Sequence, residues 1–324
     1  CQKSAEKFIK VQAGQMQRLL TLADYAHPYM TMAKETEGAT LEVLAALMEQ
    51  GLVYRALKPV HWSIENETAL AEAELEYYDR KDISVYVDFE AEDATAVYDA
   101  FGLPKEDSNT EDEESTEDGE EESARPRTRP SFMIWTTTPW TLPANLAIAV
   151  HPDYEYALVK VDGNVTVMAK DLIEKVTKAA GAEDVSVLAT TKGQNLVGLR
   201  YRHPFVDFAR HESVASPSFS STRSSSAPAS ATPAVSAFKL LPATYVTLED
   251  GTGLVHTAPG HGTEDYQSGK ANGLPVYCPV RHDGTYDDTV PAHLRGMNIW
   301  KANGLITEKL RESGHLFYSH TFMH

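Results

Sequence analysis

The chain has 324 residues, of which 42% are hydrophobic, and this is enough to bury a sizeable core in about two domains. Its formal net charge of -18 argues against a generic polyanion-binding protein, because affinity for nucleic acid usually rests on lysine and arginine. Much of the negative charge is local, however. It lies in an acidic low-complexity run within residues 105–129, which we expect to be a solvated, disordered insertion.

The number of cysteines and the hydropathy of the sequence indicate the cellular compartment of the protein. Cys1 and Cys278 are too few for a disulfide framework and lack the spacing of a zinc site, which favours a reducing compartment such as the cytoplasm. No apolar run approaches the roughly 20 residues that span a bilayer, so we expect no membrane association. Because the chain begins with Cys1 and stops directly after a strand-like stretch, we expect it to be an internal piece of a longer protein.

Helical patterns come first along the chain. Phe8 and Val11 lie on a loosely defined apolar face of the opening helix. A clearer helix covers about residues 33–50, with Leu41 on its apolar side and Gly51 just past its end as a C-cap. Shorter helices are predicted at residues 93–101 and 170–180.

Short apolar segments bounded by turn residues predict many strands, and these make the fold a mixed α/β one. The Asp162-Gly163-Asn164 turn between two alternating segments is a good hairpin signal. A second biased segment, residues 212–238, is rich in Ser, Ala and Pro and is expected to be a disordered insertion. The predicted strands cover residues 52–62, 83–89, 132–136, 146–150, 154–161, 165–169, 185–189, 245–248 and 253–257.

The first stretch with chemical potential is WTTTPWTLPAN, residues 135–145. Thr136, Thr137 and Thr138 leave a predicted strand and are followed by two prolines, so hydroxyls and backbone amides would line a rigid turn. Such a turn could hydrogen-bond an ester and its attacking water. The alternative is structural, since threonine is a good strand residue and the Pro-Trp pair could be a packed corner.

The second stretch is GTGLVHTAPGHGTEDY, residues 251–266. Its glycines allow the backbone to approach a ligand closely, and Thr263 is placed to cap a following helix. His256 ends a predicted strand, His261 lies in a loop, and Asp265 stands on the first helical turn. Three polar side chains would therefore converge, as they do in ligand sites of α/β domains.

Different chemistries compete for this second stretch. A metal site would use His256, His261 and Asp265, although two histidines across a Pro-Gly loop match no established metal motif. A metal-free site would pair Asp265 with a substrate ammonium group, while His256 shapes the pocket or orients water. An aspartate favoured by the helix dipole would account for Asp265 alone.

The sequences WTTTPWTLPANLAIAVHPDYEY and GTGLVHTAPGHGTEDY resemble the two signature sequences of the isoleucyl-tRNA synthetase editing domain. The valyl and leucyl relatives carry Arg-Pro-Glu or Arg-Pro-Asp after the threonines, so Thr138-Pro139-Trp140 favours the isoleucine family. His-Thr-Ala-Pro-Gly-His resembles the bacterial and organellar form of the second sequence.

The resemblance extends over nearly the whole chain. LKPVHW at residues 57–62 and TALAEAE at 68–74 are similar to the family's entry into the inserted domain, and DGTY at 283–286 is similar to its exit. Ser63 and Asn66 stand where many members carry cysteines, and the two biased insertions are not a common family feature. These departures leave open a zinc site in the parent and the source lineage. The chain has no HIGH-like or KMSKS-like sequence, so we do not expect it to make aminoacyl-adenylate by itself.

The resemblance implies a mixed α/β architecture in which a β-barrel-like editing domain with flanking helices stands on a stem of helices and strands. The stem would connect to a Rossmann catalytic core outside this chain. We expect the stem at residues 1–82, the editing domain at 83–300 and a return connection to the core at 301–324.

The resemblance also implies a site that hydrolyses valine wrongly attached to the isoleucine tRNA. Asp265 would hold the α-ammonium group, while Thr136, Thr137 and Thr138 would line the pocket and contact the ester. His256 would crowd the extra methylene of isoleucine and help to place the water. No metal ligand is expected. The further substrate-binding candidates are Trp140, Thr141, Asn145, which would support the turn, and His261.

Cofactors and partners follow from the same resemblance. We expect no cofactor in this chain, whereas the parent enzyme would join isoleucine to tRNA(Ile) with ATP and magnesium. The implied partner of this chain is tRNA(Ile) misacylated with valine, and those of the parent enzyme are isoleucine, valine and ATP. The parent is expected to be a monomer. It would lie in the cytoplasm, or in a mitochondrion or plastid if the source is eukaryotic. The alternatives are a trans-editing hydrolase, a non-catalytic tRNA-binding module, a decayed synthetase fragment, and a valyl or leucyl editing domain.

Overall fold

The computed structural model describes residues 1–103, 129–205 and 237–323. Almost all of the two predicted insertions, 105–129 and 212–238, therefore lies outside the described residues. Ala237 and Phe238 are described, and both are buried in the core, so the ordered domain resumes by residue 237.

The chain divides into two compact units, and the first covers residues 1–57. It contains the two predicted helices, α1 (Gln2–Arg18) and α2 (Lys34–Glu49). Neither helix has a buried residue, and Leu41 is 64% exposed. The expectation that the apolar face of each helix would be buried is therefore wrong for this unit. Two helices alone provide no second layer against which an apolar face could be covered.

The second unit, residues 58–324, contains the strands. Its six-stranded sheet has the order β11-β3-β4-β7-β6-β8, and every neighbouring pair is antiparallel except the parallel pair of β4 and β7. In chain order the strands are β1 (Trp62–Ser63), β2 (Thr68–Ala69), β3 (Lys81–Glu90), β4 (Ser131–Thr136), β5 (Ala147–Val150), β6 (Glu155–Val161), β7 (Asn164–Ala169), β8 (Val185–Lys192), β9 (Lys239–Pro242), β10 (Leu254–Thr257) and β11 (Leu316–Met323).

A smaller sheet with the order β10-β5-β9 completes the core. β5 pairs antiparallel with β10 and parallel with β9, and β10 packs against β4 of the larger sheet. The threonines at the end of β4 thus lie near the strand that carries His256. This packing of two sheets is what positions the candidate site.

Within the described residues, four helices accompany these sheets: α3 (Ala94–Ala100), α4 (Ile173–Ala180), α5 (Thr263–Ala271) and α6 (Ile299–Glu312). Asp93 caps α3, since its Oδ1 accepts hydrogen bonds from the backbone N–H groups of Thr95 at 2.9 Å and Ala96 at 3.2 Å. α4 follows a short 3-10 turn and ends at Gly181, which has φ 72°.

Most predicted strands are confirmed, but two are wrong. Residues 52–61 have no regular structure, and only Trp62–Ser63 pairs with a neighbour. Residues 245–248 are also irregular, because the place beside β5 is taken by Lys239–Pro242. Both segments contain several apolar residues, but a strand also needs a free partner.

The mixed α/β class is confirmed, while the barrel-like arrangement is not: in the described part of the chain the strands form open sheets and one short hairpin. α6 crosses the predicted boundary at residue 301, and β11 pairs with β3 in the main sheet. The segment predicted as a return connection is therefore part of the second unit, and its link to a catalytic core stays a prediction. None of the described helices has the length and hydropathy of a membrane span.

We predict that Leu158→Ala lowers the free energy of unfolding by about 2–5 kcal/mol, because Leu158 is fully buried in β6 and its truncation leaves a cavity. Leu188→Ala is the matched control, since this leucine is 42% exposed on the adjacent strand β8. Urea denaturation of the two variants measures the difference. Equal losses of stability would contradict the core described above.

Candidate active site

The threonine turn follows β4 directly. Thr136 ends the strand, and a 3-10 helix covers Pro139–Ala144. The hydroxyl of Thr136 accepts the backbone N–H of Thr138 at 3.1 Å and lies 3.1 Å from the Thr138 hydroxyl. Hydrogen bonds between side chains and backbone therefore close the turn, as the run of threonines followed by proline predicted.

His256 lies behind this turn on β10 and is buried. Its Nε2 is 2.8 Å from the Thr141 hydroxyl, and its Nδ1 is 2.9 Å from the side-chain nitrogen of Asn145. Burial lowers the pKa of His256 to about 3, with a smaller contribution from neighbouring His261. The imidazole is therefore neutral at physiological pH, and both of its nitrogens are engaged inside the protein.

Asp265 stands on the first turn of α5. Its Oδ1 accepts the backbone N–H of Ala258 at 2.8 Å, and burial raises its pKa above the ordinary value. Gly262 leaves room for the carboxylate, because a Cβ at this position would lie 2.0 Å from Asp265 Oδ2. The predicted cap Thr263 is wrong: Gly262 is the N-cap, and no side chain caps the helix.

Thr136, Thr137 and Asp265 line one cavity of about 480 Å³. Its volume lies within the range of small-molecule sites, roughly 300–1,000 Å³. The cavity is larger than a single branched aliphatic side chain requires, so its size alone does not select one such side chain. Its lining also includes Trp135, Tyr245, Thr247, Glu249, Asp250, Gly251, Thr252, Gly253, Leu254, Val255 and Glu264.

The charges around this cavity favour a cation. Four carboxylate residues line it, and no lysine, arginine or histidine is among its described lining residues. One of the four is partly neutralised, since Lys175 Nζ lies 2.6 Å from Asp250 Oδ1 and donates to the Glu249 carbonyl at 2.7 Å. A ligand with an ammonium group and several hydrogen-bonding groups would match the remaining carboxylates and the threonine hydroxyls.

Six of the residues predicted for the site do not line this cavity, and they are Thr138, Trp140, Thr141, Asn145, His256 and His261. Several of them instead contact the threonine turn on the side that does not line the cavity. The backbone N–H of Trp140 donates to Asn303 Oδ1 at 2.9 Å, and the Trp140 carbonyl accepts from the Tyr286 hydroxyl. His261 packs edge-on against the Trp140 indole, with ring centroids 5.1 Å apart, and burial lowers its pKa to about 4.

The alternative of a metal site gains no support from the geometry. Among the residues that the structure describes, no three His, Cys, Asp or Glu side chains are grouped so that they could hold a metal ion. His256 could bind a metal only by losing its contact with Thr141 or Asn145.

Several lining residues were missed at the sequence level. Trp135 and Glu264 directly precede predicted site residues, so their position in the two signature sequences was the available signal. Gly251 has φ 79°, and a Cβ there would lie 3.0 Å from the Trp135 ring, which shows why this wall needs a glycine. Tyr245 and Thr247 lie in the segment predicted as a strand, which hid their role as lining residues.

Comparison with known proteins identifies the class. The family model for class I tRNA synthetases (I, L, M and V) matches residues 1–281. The chain therefore belongs to the class I tRNA synthetase family. It is 37% identical over 324 residues, the whole of this chain, to an isoleucine–tRNA ligase of Petrotoga mobilis, and it spans 28% of the length of that relative.

Two solved structures of leucyl-tRNA synthetase domains are similar to the chain. The structure described as GlLeuRS-CP1 is 11% identical and has a TM-score of 0.45, with 74% of this chain and 99% of that chain covered. The editing domain of the P. falciparum cytosolic leucyl-tRNA synthetase is 12% identical and has a TM-score of 0.46, with 73% and 98% covered.

We predict that acidification below about pH 6.5 destabilises the second unit, because His256 and His261 gain protons more readily when the chain unfolds. The pKa values of both histidines are lower in the folded state than in the unfolded state, so the unfolded state binds more protons. The free energy of unfolding therefore decreases as the pH decreases. In His261→Gln the slope between about pH 4 and 6 should be shallower by about 1.4 kcal/mol per pH unit. Urea denaturation at several pH values measures this slope, and identical slopes would contradict the burial of His261.

Proposed function

We propose that the chain is the editing part of an isoleucine–tRNA ligase and that its cavity hydrolyses the ester of valyl-tRNA(Ile). The observation that carries this proposal is that the threonine turn and the Asp265 carboxylate line one cavity in a member of the class I tRNA synthetases. The 37% identity to an isoleucine–tRNA ligase supports the choice of amino acid.

Asp265 binds the α-ammonium group of the misattached valine in this proposal. One of its oxygens is held by the Ala258 backbone, which fixes the orientation of the carboxylate. The second oxygen lies beside Gly262, where the absence of a side chain leaves room for it. A hydrogen bond between an ammonium and a carboxylate is charge-assisted and about twice as strong as a neutral one, so it would dominate recognition of the amino acid.

The threonine turn acts on the ester. Thr136 and Thr137 offer hydroxyl and amide groups to the ester carbonyl, where negative charge develops as water attacks. Water adds to the carbonyl carbon, the bond to the ribose oxygen breaks, and free valine and tRNA are released. The contributions expected from this chain are positioning and oxyanion stabilisation, without a metal or a covalent intermediate. Thr138, Trp140, Thr141, Asn145 and His261 would support this turn from behind.

The need for such a site follows from the limits of binding specificity. One methylene in an apolar pocket is worth only about 1–3 kcal/mol, a limit for which isoleucine-specific synthetases are the standard illustration. A second site must then hydrolyse the valine that the first one accepts. The parent enzyme would join isoleucine to tRNA(Ile) with ATP and magnesium in a catalytic core, acting as a monomer in the cytoplasm.

The direct test is deacylation of valyl-tRNA(Ile) by the purified chain. We expect hydrolysis well above the spontaneous rate, both with and without EDTA, and little hydrolysis of isoleucyl-tRNA(Ile). Hydrolysis lost with EDTA and restored by zinc would favour the metal alternative. Binding of tRNA without hydrolysis would favour a non-catalytic tRNA-binding module.

We predict that Asp265→Asn lowers kcat/KM for valyl-tRNA(Ile) by about 10- to 150-fold, because the ammonium loses its charged partner. Glu264→Gln is the matched control, since this neighbouring carboxylate lines the same cavity but is exposed to solvent, which screens its charge. Its effect should be less than about threefold. If both variants lose the same activity, general negative charge rather than a specific contact with Asp265 explains binding.

We predict that His256→Ala weakens the discrimination between valine and isoleucine. The resemblance assigns His256 to the exclusion of the larger side chain, and its contact with Thr141, which is bonded to the Thr138 carbonyl, supports an indirect effect through the threonine turn. Deacylation of isoleucyl-tRNA(Ile) relative to valyl-tRNA(Ile) measures the change. An unaltered ratio, in a variant that retains activity, would remove His256 from the basis of specificity.

A further inference from the structure

We propose that Asn145 and Tyr201 are positioning residues that hold His256 with its proton on Nε2, and that this proton fixes the threonine turn through Thr141. Neither the signature sequences nor the cavity lining pointed to Tyr201. The inference rests on the proposed function for its effect on catalysis, whereas the hydrogen-bond chain itself can be tested without any substrate.

The orientation of the Asn145 amide is the first step. Its Nδ2 donates to the Ala147 carbonyl at 2.8 Å, and a carbonyl only accepts, so the nitrogen must face this side. Its Oδ1 accepts a hydrogen bond from the Tyr201 hydroxyl at 2.5 Å. Tyr201 is fully buried, with its ring edge-on to Phe89 and Phe238, so the hydroxyl is held in place. The amide is therefore fixed from both ends.

The tautomer of His256 follows from this orientation. The second hydrogen of Asn145 Nδ2 points to His256 Nδ1, 2.9 Å away, so Nδ1 must be the unprotonated acceptor. In a neutral imidazole the proton then lies on Nε2. The ring stays neutral because burial lowers the pKa of His256 to about 3, and His261 is the titratable neighbour that adds to this shift.

Thr141 transmits the arrangement to the turn. Its hydroxyl accepts from His256 Nε2 at 2.8 Å and must therefore use its own hydrogen elsewhere. The Thr138 carbonyl, 2.8 Å away, is the acceptor. The hydrogen bonds thus run in one direction, from Asn145 through His256 and Thr141 to the Thr138 carbonyl of the threonine turn. His256 acts through this backbone, because neither ring nitrogen is free to bind water or substrate.

The tautomer can be measured directly in the wild-type chain by ¹⁵N NMR of the histidine rings, with His256 assigned by its absence from the His256→Gln spectrum. The inference predicts a neutral ring with the proton on Nε2 at pH 7. A ring with the proton on Nδ1, or a charged ring, would overturn it. This result does not depend on whether the chain hydrolyses any tRNA, so it separates failure of the inference from failure of the proposed function.

Asn145→Asp tests the functional consequence. A carboxylate accepts where the amide nitrogen donated, so the His256 proton should move to Nδ1 and Thr141 should lose its donor. We expect kcat for valyl-tRNA(Ile) to fall at least about tenfold with KM little changed, together with the altered ¹⁵N signature. Asn195→Asp is the matched control, since this exposed asparagine donates to Thr191 far along the chain from the turn, and it should change neither quantity.

Tyr201→Phe keeps the proposal falsifiable should Asn145→Asp fail to fold. It removes one hydroxyl and keeps the ring contacts with Phe89 and Phe238. Because Ala147 still orients the amide, the His256 tautomer should persist while kcat falls about three- to tenfold. A wild-type kcat in Tyr201→Phe, or a wild-type tautomer and rate in Asn145→Asp, would show that these residues do not position the turn.

Discussion

The candidate site depends on one constraint: the buried side chains of Asn145, His256 and Thr141 beside the threonine turn must satisfy their hydrogen bonds through one another. A buried polar group without a partner costs about 1–3 kcal/mol, so the turn has few alternative arrangements. His256, Asn145 and Thr141 satisfy one another and the backbone of the turn. Because His256 lies on β10 and the turn leaves β4, this network also joins the small sheet to the large one.

The part of the cavity wall that contains Asp265 is built differently. Glycine at position 262 lets the Asp265 carboxylate approach the backbone before α5, and the Ala258 N–H holds it there. Burial favours the neutral carboxyl group, as its raised pKa indicates, so an arriving ammonium group would stabilise the ionised form. A polar turn and a partly desolvated carboxylate that line the same cavity suit a ligand that carries both an ester and a positive charge.

Much of this could be predicted from the sequence, for physical reasons. Alternation and the turn at 162–164 fixed the hairpin of β6 and β7, and the signature sequences contained Thr136, Thr137 and Asp265. The side-chain direction of His256 could not be predicted, because it depends on packing between two sheets. The role of Tyr201 could not be predicted for a similar reason. Tyr201 contacts Asn145, which lies 56 positions away in the sequence, and no local pattern indicates such a contact.

The most direct measurement is a crystal structure of the chain with a non-hydrolysable valyl-adenosine analogue, in which an amide replaces the ester. We expect the valine ammonium nitrogen at about 2.7–2.9 Å from an Asp265 carboxylate oxygen and the amide carbonyl facing Thr136 and Thr137. An analogue bound away from this cavity, or bound in it with its ammonium group turned away from Asp265, would contradict the proposed editing site.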